Sequence, residues 1–595
     1  MRPGTATAPA IFDQSGVLTS LTTSGVQSPA LAATTAYFGV CALVLAAPFE
    51  LTKPLLRLPS QSISNLEALL LIVFMSWSAV IVWSRRWPRL RTPLTGPWVA
   101  LLAAMLLSTA AAPAEHMNAL HMTGRAMAAF GVYLLTVNGI TSSARLQRAL
   151  AAALAAGVAV GVLAVLEYRE VGPVLRSLQA FRPDRAAVGS QVRAGGPLQY
   201  PTIASMYLEV AFAFGLGLLL AGLDASRPVR VAAVFVVLVL IGDAIILTFT
   251  RAGLLAMVAM LALVGLCRYG QRGADRGVAL IGALSLAIAA ALFTSRSAES
   301  IWLRLTSDGQ DGWYRFTVDA PAYVELSADQ IVTVPVSVTN TGRLTWDSSA
   351  DSPFYLAYHW LEAESDRVVS FDGLRSRFVR PVAPGTTASV DAQVKAPRQR
   401  GRYRLVWDMV QEGRLWFGSE PGVKLTAFSR ATVSGSMDRA PALTSQMPTT
   451  AVRPGRLALW RAASRMLAAH PLLGVGPDNF RLSYGEHSAI DCADPRVHSN
   501  DMYIEMVVGS GLIGGLAFAW LLWRAAGHFA SGLRLARDQQ LTAALGIAAA
   551  GLAIGLHGVV DSFLGFTPTY VLIAVTLGFA VACSRMETQP DANRV

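Results

Sequence analysis

A chain of 595 residues that is 53% hydrophobic and only 15% charged, with a mean hydropathy of +0.45, is not an ordinary soluble domain, in which about a quarter of the residues carry charge. Its net charge of +11 comes almost wholly from arginine, and no basic run interleaved with aromatics suggests nucleic acid. The cysteines Cys41, Cys267, Cys492 and Cys583 lie mostly in apolar stretches, which argues against a disulfide framework.

The first 30 residues are rich in Ser, Thr, Gly and Pro, with no basic start running into an apolar core; they predict a disordered cytoplasmic tail rather than a signal peptide. A bilayer-spanning helix needs about 20 apolar residues, and about twelve segments come close: 31–48, 66–84, 96–113, 124–140, 150–168, 202–223, 231–250, 252–267, 278–293, 502–523, 542–560 and 567–583. Arginines cluster in every second connection, at Arg85, Arg86, Arg89 and Arg91, at Arg145 and Arg148, at Arg227 and Arg230, at Arg268, Arg272 and Arg276, and at Arg524, Arg534 and Arg537. Such clusters mark the cytoplasmic side, so both termini are expected inside. The outward loop 169–201 breaks the rule with Arg169, Arg176, Arg182, Arg185 and Arg193. Guanidinium groups grip phosphate bidentately, so this loop is a candidate anion site; the alternative is tolerance of a statistical rule, with Glu170 and Asp184 offsetting part of the charge.

Between 293 and 502 lies an outward stretch of about two hundred residues, too long to lack structure of its own. From 313 to 433 its pattern has period two, in "QIVTVPVSVTNTG", "FYLAYHW", "ASVDAQV" and "GRYRLVWDMV", with turn signals at Asn340-Thr341-Gly342 and Pro384-Gly385. These strands predict an inserted, immunoglobulin-like β-sandwich with Trp346, Tyr358, Trp360, Tyr403, Trp407, Trp416 and Phe417 in its core. The expected fold is therefore mainly α. A tail (1–30), nine spans (31–294), a linker (295–312), the β-sandwich (313–433), an outer loop with the functional motif (434–501), three spans (502–583) and a second tail (584–595) follow in order.

The outer loop holds "GRLALWRAASRMLAAHPLLGVGPDNF". Its first half has helical periodicity, with Leu457, Trp460, Ala463 and Leu467 on one face and Arg456, Arg461 and Arg465 on another, as in an amphipathic helix at the membrane surface. "HSNDMYIEMVVGSGLIGG" follows, from His498 to Gly515. An Arg-bearing helix, a "PLLGVGPxNF"-like turn and a His segment entering a helix of "xYLExxxxxGLIG" form resemble the O-antigen ligase and polymerase superfamily of bacterial membrane glycosyltransferases. "RAGGPLQYPTIAS" from Arg193, "LTFTRAGLLA" with Arg251, and "HGVVDSF" with His557 and Asp561 extend the resemblance over 193–583, the β insert excepted. The chain departs from the pattern where many members carry His-Asn directly before the helix: here Asn500-Asp501 stands there and His498 lies two residues upstream.

The resemblance implies transfer of a glycan from an undecaprenyl-pyrophosphate carrier to an acceptor hydroxyl at the periplasmic face of the inner membrane, without a cofactor. The acceptor is lipid A-core for a ligase and a growing glycan for a polymerase, and membrane lipid surrounds both. By matching position, Arg193 and Arg456 would hold the pyrophosphate and His498 would take the acceptor proton. Arg251, Arg461, Arg185, Glu505 and Asn500 would complete the substrate contacts. Ligase and polymerase share these motifs and stay open. A transporter using Glu209 and Asp243 is the competing class. His487, Asp491, Cys492, Asp494 and His498 crowd one loop but match no zinc spacing, so no metal is expected. No nucleotide-binding loop or HExxH signature occurs.

Overall fold

The computed structural model describes residues 28–58, 61–85, 87–182, 186–188, 191–294, 312–350, 353–365, 368–412, 415–419, 423, 425–434, 454–488, 493–535 and 542–587. Every apolar segment named above lies in a helix: α1 (Ser28–Ala46), α2 (Asn65–Ser84), α3 (Thr95–Ala111), α4 (His116–Gly139) and α5 (Ser143–Tyr168). The short α6 (Gly172–Leu178) precedes α7 (Pro201–Asp224), α8 (Pro228–Leu247), α9 (Arg251–Arg272) and α10 (Arg276–Thr294). After the β region come α11 (Arg456–Ala469), α12 (Phe480–Ser488), α13 (Met502–Leu535), α14 (Ala543–Gly558) and α15 (Thr567–Glu587).

Among the described residues, 8 helices are long and apolar enough to cross a membrane, fewer than the twelve segments suggested. The apolar parts of α1, α3 and α14 run only 10–17 residues, about 25 Å or less at 1.5 Å per residue against a hydrocarbon core of about 30 Å. α4 is long enough, but His116, Asn118, His121 and Arg125 in its first turns dilute its hydropathy. The chain is a polytopic membrane protein.

α7 is the central post, its whole spanning window buried. α14 lies close against it: a Cβ on Gly546 would fall 2.4 Å from the Ala213 carbonyl oxygen, so only glycine allows this approach. At one end of the bundle Arg268, 2% exposed, ties α7, α9 and α10 together through Asp224 at 2.6 Å and Asp275, while Thr542 donates to Asp224 at 2.7 Å. At the other end Arg182 pairs with Glu167, which also accepts from the backbone N–H groups of Gly195 (3.0 Å) and Gly196 (2.9 Å). A buried carboxylate with this many donors fixes the course of the 169–200 loop.

The break in α13 shapes the end of the bundle that carries the 471–476 segment. Gly511 sits at φ 65°, ψ −172°, which interrupts the helical ladder. The 471–476 segment repairs it: Val475 and Gly476 donate to the Val508 and Gly509 carbonyls (3.1 and 2.9 Å), and Leu512 and Ile513 donate to the Pro471 and Leu472 carbonyls (2.9 and 3.2 Å). Backbone irregularity at membrane depth survives only where protein groups satisfy it.

The β region corrects the expected immunoglobulin-like sandwich. Besides the short hairpins of β1 (Leu56–Leu58) with β2 (Gln61–Ile63) and β3 (Ala186–Val188) with β4 (Gln191–Arg193), the strand runs are where alternation placed them, as β7 (Ile331–Asn340), β8 (Phe354–Glu362), β11 (Thr387–Lys395) and β12 (Gly401–Gln411), joined by β5 (Phe316–Asp319), β6 (Tyr323–Ser327), β9 (Val368–Ser370, beside β8), β10 (Ser376–Arg377), β13 (Leu415–Trp416, beside β12) and β14 (Phe428–Ser434). They form open sheets that close into neither a sandwich nor a barrel: a 7-stranded sheet with the path β10-β8-β12-β14-β6, and a 3-stranded sheet in the order β11-β7-β5. The β6–β14 pair is parallel, Tyr323 facing Arg430 and Ser327 facing Ser434, whereas β5 lies antiparallel on the far end of β7, with Phe316 against Asn340. β8 is buried at seven successive positions rather than alternately, because Phe371 and Trp416 cover the face that a sandwich would leave to water. Strand order and face coverage depend on distant contacts, which period-two alternation does not encode.

Candidate functional site

The segment docked into the α13 break carries the site. Past Gly476 the chain turns through Asp478 in a left-handed conformation (φ 65°), and Asn479 ties it to the α3–α4 connection by donating to the Ala114 carbonyl at 3.0 Å. Asn118 of α4 donates to Asn479 at 2.9 Å, and Arg481 donates to Asp478 at 2.9 Å. On the other side, Asp501 accepts from the Tyr503 and Ile504 N–H groups at 2.8 and 2.9 Å and caps α13. This cap presents Glu505 from the first helical turn toward the loop before it.

His498 stands between these two constructions. Its Nδ1 lies 3.3 Å from Glu505 Oε1 and 3.8 Å from Asp478 Oδ1, while the second Glu505 oxygen accepts from the Ser499 N–H at 2.9 Å. Burial pulls the imidazole pKa down, but the Glu505 hydrogen bond and charge, with the Asp478 charge, outweigh it and leave the pKa raised. With Nδ1 held by a carboxylate, Nε2 is the nitrogen left to exchange a proton. The ligand atoms of Asp478, His498 and Glu505 also lie within 4.8 Å of one another, a spacing compatible with a metal ion.

His498 lines a cleft of about 490 Å³ together with Glu50, Arg125, Tyr200, Asp478, Arg481, Arg496 and Phe566. Phe566 meets both Tyr200 and His498 edge-on, with centroids 5.8 and 6.5 Å apart. Arg481 donates to the Pro495 carbonyl and to Asn118 besides Asp478, and Arg496 pairs with Asp494 at 3.0 Å. Burial pushes the Glu50 carboxyl above the usual carboxylate range, against hydrogen bonds from Thr567 and Ser64.

The other sequence-derived candidates sit around this cleft. Arg193, at the end of the short β4 (Gln191–Arg193), donates to the Thr248 carbonyl at 3.0 Å and to Thr250 at 3.3 Å; burial lowers its pKa to about 10, and the Asp561 charge resists the fall. Arg456 donates to the Val560 carbonyl at 3.0 Å. Arg456 therefore reaches the 559–566 connection, whose far end supplies Phe566 to the cleft wall, whereas Arg193 bonds the turn between α8 and α9 and meets that connection only through the Asp561 charge; neither lines the cleft. Arg251 and Arg461 are exposed, at the first turn of α9 and on α11. Asn500 takes a left-handed φ of 55° beside the cap, and Arg185 lies outside the described residues, as do Asp491 and Cys492. In the 169–201 loop Arg182 is consumed by Glu167, and Arg169 and Arg176 are exposed. Glu209 accepts from Ser205 at 2.8 Å and lies 2.9 Å from His557 Nδ1 in the bundle interior.

α11 is present, but turned from the expected face. Leu459, Ala462, Ala463 and Met466 are buried against Val475, Phe480, Tyr484 and Val508, and Leu457 is 60% exposed. The small alanines let the helix pack closely on the docked segment, and Trp460 donates to the Ser499 carbonyl at 3.1 Å beside His498.

Asp478, Arg481, Arg125 and Glu50 were not singled out from the sequence. Arg125 carried a signal, as an ionisable residue inside an apolar segment; Asp478 and Arg481 carried only a helical i, i+3 spacing. No protein-family model and no curated protein matches the chain.

Proposed function

We propose that the chain is a membrane glycosyltransferase of the O-antigen ligase and polymerase type, acting at the periplasmic face of a bacterial inner membrane. The observation that carries this reading is His498, held through Nδ1 by Glu505 in a cleft that also contains Arg125, Arg481 and Arg496. The acceptor hydroxyl passes its proton to His498 Nε2 as its oxygen bonds to the anomeric carbon of the donor sugar. The bond from that carbon to the carrier oxygen breaks, and undecaprenyl pyrophosphate leaves with the electron pair. Cleft guanidinium groups offset the charge developing on the pyrophosphate. Arg456 serves as a positioning residue that braces the 559–566 connection, and Arg193 as one that ties the end of the 169–200 loop to the α8–α9 turn.

Ligase and polymerase share this chemistry and differ in acceptor. Purified protein given a carrier-linked glycan should transfer it, and His498→Ala should slow transfer by roughly a hundredfold or more. Full transfer by that variant overturns the reading. In cells, loss of the gene with long carrier-linked chains accumulating identifies a ligase, and single repeat units identify a polymerase.

A further inference from the structure

The end of the bundle away from His498 holds a separate cavity of about 410 Å³, where α1 begins and α2, α4 and α15 finish. Its walls divide by chemistry. Ala33, Trp77, Ile81, Ile140 and Ala582 make an apolar part, and Arg89, Asn138, Thr141 and Arg585 a polar part; no described carboxylate lines it. Asn138 fixes the 87–89 stretch across the gap. Its Oδ1 accepts from the Arg89 N–H at 2.8 Å, and its Nδ2 donates to the Arg89 carbonyl at 3.2 Å and the Leu134 carbonyl at 2.8 Å. Arg585 is anchored on the last turn of α4, donating to the Val137 carbonyl at 3.4 Å. The carboxylates that α7 and the α9–α10 turn bring to this end, Asp224 and Asp275, are held by Arg268 at 2.6 Å each and lie off the cavity. Trp83 and Trp87, at and just past the end of α2, are 78% and 86% exposed, and the Arg89 side chain is exposed beside them. Exposed tryptophans at the end of a membrane helix mark the level of the lipid headgroups, so the cavity opens there.

We propose that this cavity binds an anionic phospholipid, with its phosphate against Arg89 and Arg585 and an acyl chain along Ile81, Ile140 and Ala582. Two guanidinium groups on one wall favour a phosphate diester with no cation of its own, whereas a zwitterionic headgroup brings an ammonium that the same groups repel. The apolar part favours a lipid over a soluble phosphate, because a headgroup alone leaves Ile81 and Ile140 uncovered. The site lies at the other end of α4 and α15 from the cleft, to which those helices contribute Arg125 and Thr567, and it stands independently of the glycan-transfer reading.

The test is native mass spectrometry of the full-length protein, titrated in mild detergent with phosphatidylglycerol, phosphatidylcholine or glycerol phosphate. The wild type should bind phosphatidylglycerol about tenfold or more tightly than phosphatidylcholine. Arg89→Gln and Arg585→Gln should each weaken phosphatidylglycerol about fivefold and together about twenty-five-fold, with phosphatidylcholine unchanged. Ala33→Phe fills the apolar part and should weaken both lipids. Arg91→Gln, which removes an exposed arginine off the cavity, should change nothing. An equal loss in Arg91→Gln reduces the selectivity to diffuse charge and overturns the site, as does a wild type that does not distinguish the two lipids. Glycerol phosphate bound as tightly as phosphatidylglycerol overturns the choice of a lipid. Arg585→Gln also removes an anchor on α4, so if its melting temperature falls, Arg89→Gln decides alone: its side chain is exposed, and unchanged affinity there overturns the proposal.

Discussion

Glu505→Gln isolates the electrostatic part of the His498 site, because it keeps the side-chain shape and removes the charge. At 3.3 Å, two unit charges attract by about 5 kcal/mol at an effective dielectric of about 20, and desolvation of both groups takes back much of it. A hydrogen bond to a charged partner nets roughly 1.5–3 kcal/mol, and losing it with the Glu505 charge lowers the His498 pKa from its raised position. The base is the neutral imidazole, so activity climbs with pH through the folded-state pKa. The raised pKa in the wild type places that limb above the ordinary imidazole range, and the substitution moves it down. Stability runs the opposite way: what the raised His498 contributes is complete below its unfolded value and is lost as pH rises through its folded value. The glutamine amide can also donate to Nδ1 and drive the proton to Nε2, the wrong nitrogen for a base, so turnover should fall roughly a hundredfold to ten-thousandfold. The assay is the transfer rate of purified protein across pH. A wild-type rate with an unmoved acid limb would refute the pairing as a functional device.

Arg456→Lys keeps a charge but not the planar fork, and should reduce transfer several-fold through kcat by loosening the Val560 contact, with donor affinity nearly unchanged. Gly511→Ala places a Cβ 2.2 Å from the Leu472 carbonyl oxygen at a positive φ, and should cost roughly 1–3 kcal/mol or more, seen as a drop in melting temperature and loss of detergent-stable protein. A chelator should leave transfer intact, because Asp478 and Glu505 already pair with His498; activity lost to chelation and restored by a divalent ion would instead assign the three residues to a metal.

Periodicity and composition located the membrane helices and the principal strands, since both are local properties of the chain. The core role of Trp346, Trp360, Trp407 and Trp416 was legible as well, and each is at most 2% exposed. What local pattern did not reveal was pairing. Asp478 meets Asn118 across 360 positions, and Ser108 reaches the Gly509 carbonyl across 401. The face of α11 was misjudged because two apolar stripes overlap on it, and only the docked 471–476 segment decides between Leu457 and Leu459. The span count failed for a related reason: α3 and α14 are apolar throughout but too short, which segment boundaries drawn from hydropathy overstate. His498 and Glu505 were named from motif resemblance, Glu505 as a substrate contact, but the sequence did not reveal that Glu505 holds His498 itself while also accepting from the Ser499 N–H.

The strand arrangement of the β region has a mechanical consequence. Its first strand begins at the far end of β7 and its last strand finishes beside the end of β6, close to where β7 starts, so the two attachment points are separated by nearly the length of a 10-residue strand, about 30 Å. A module fastened at opposite ends behaves as a strap, not as a pendant on one stalk. Tension between its attachments would run along the parallel β6–β14 pair and load its hydrogen bonds together in shear, where unzipping one at a time is not available.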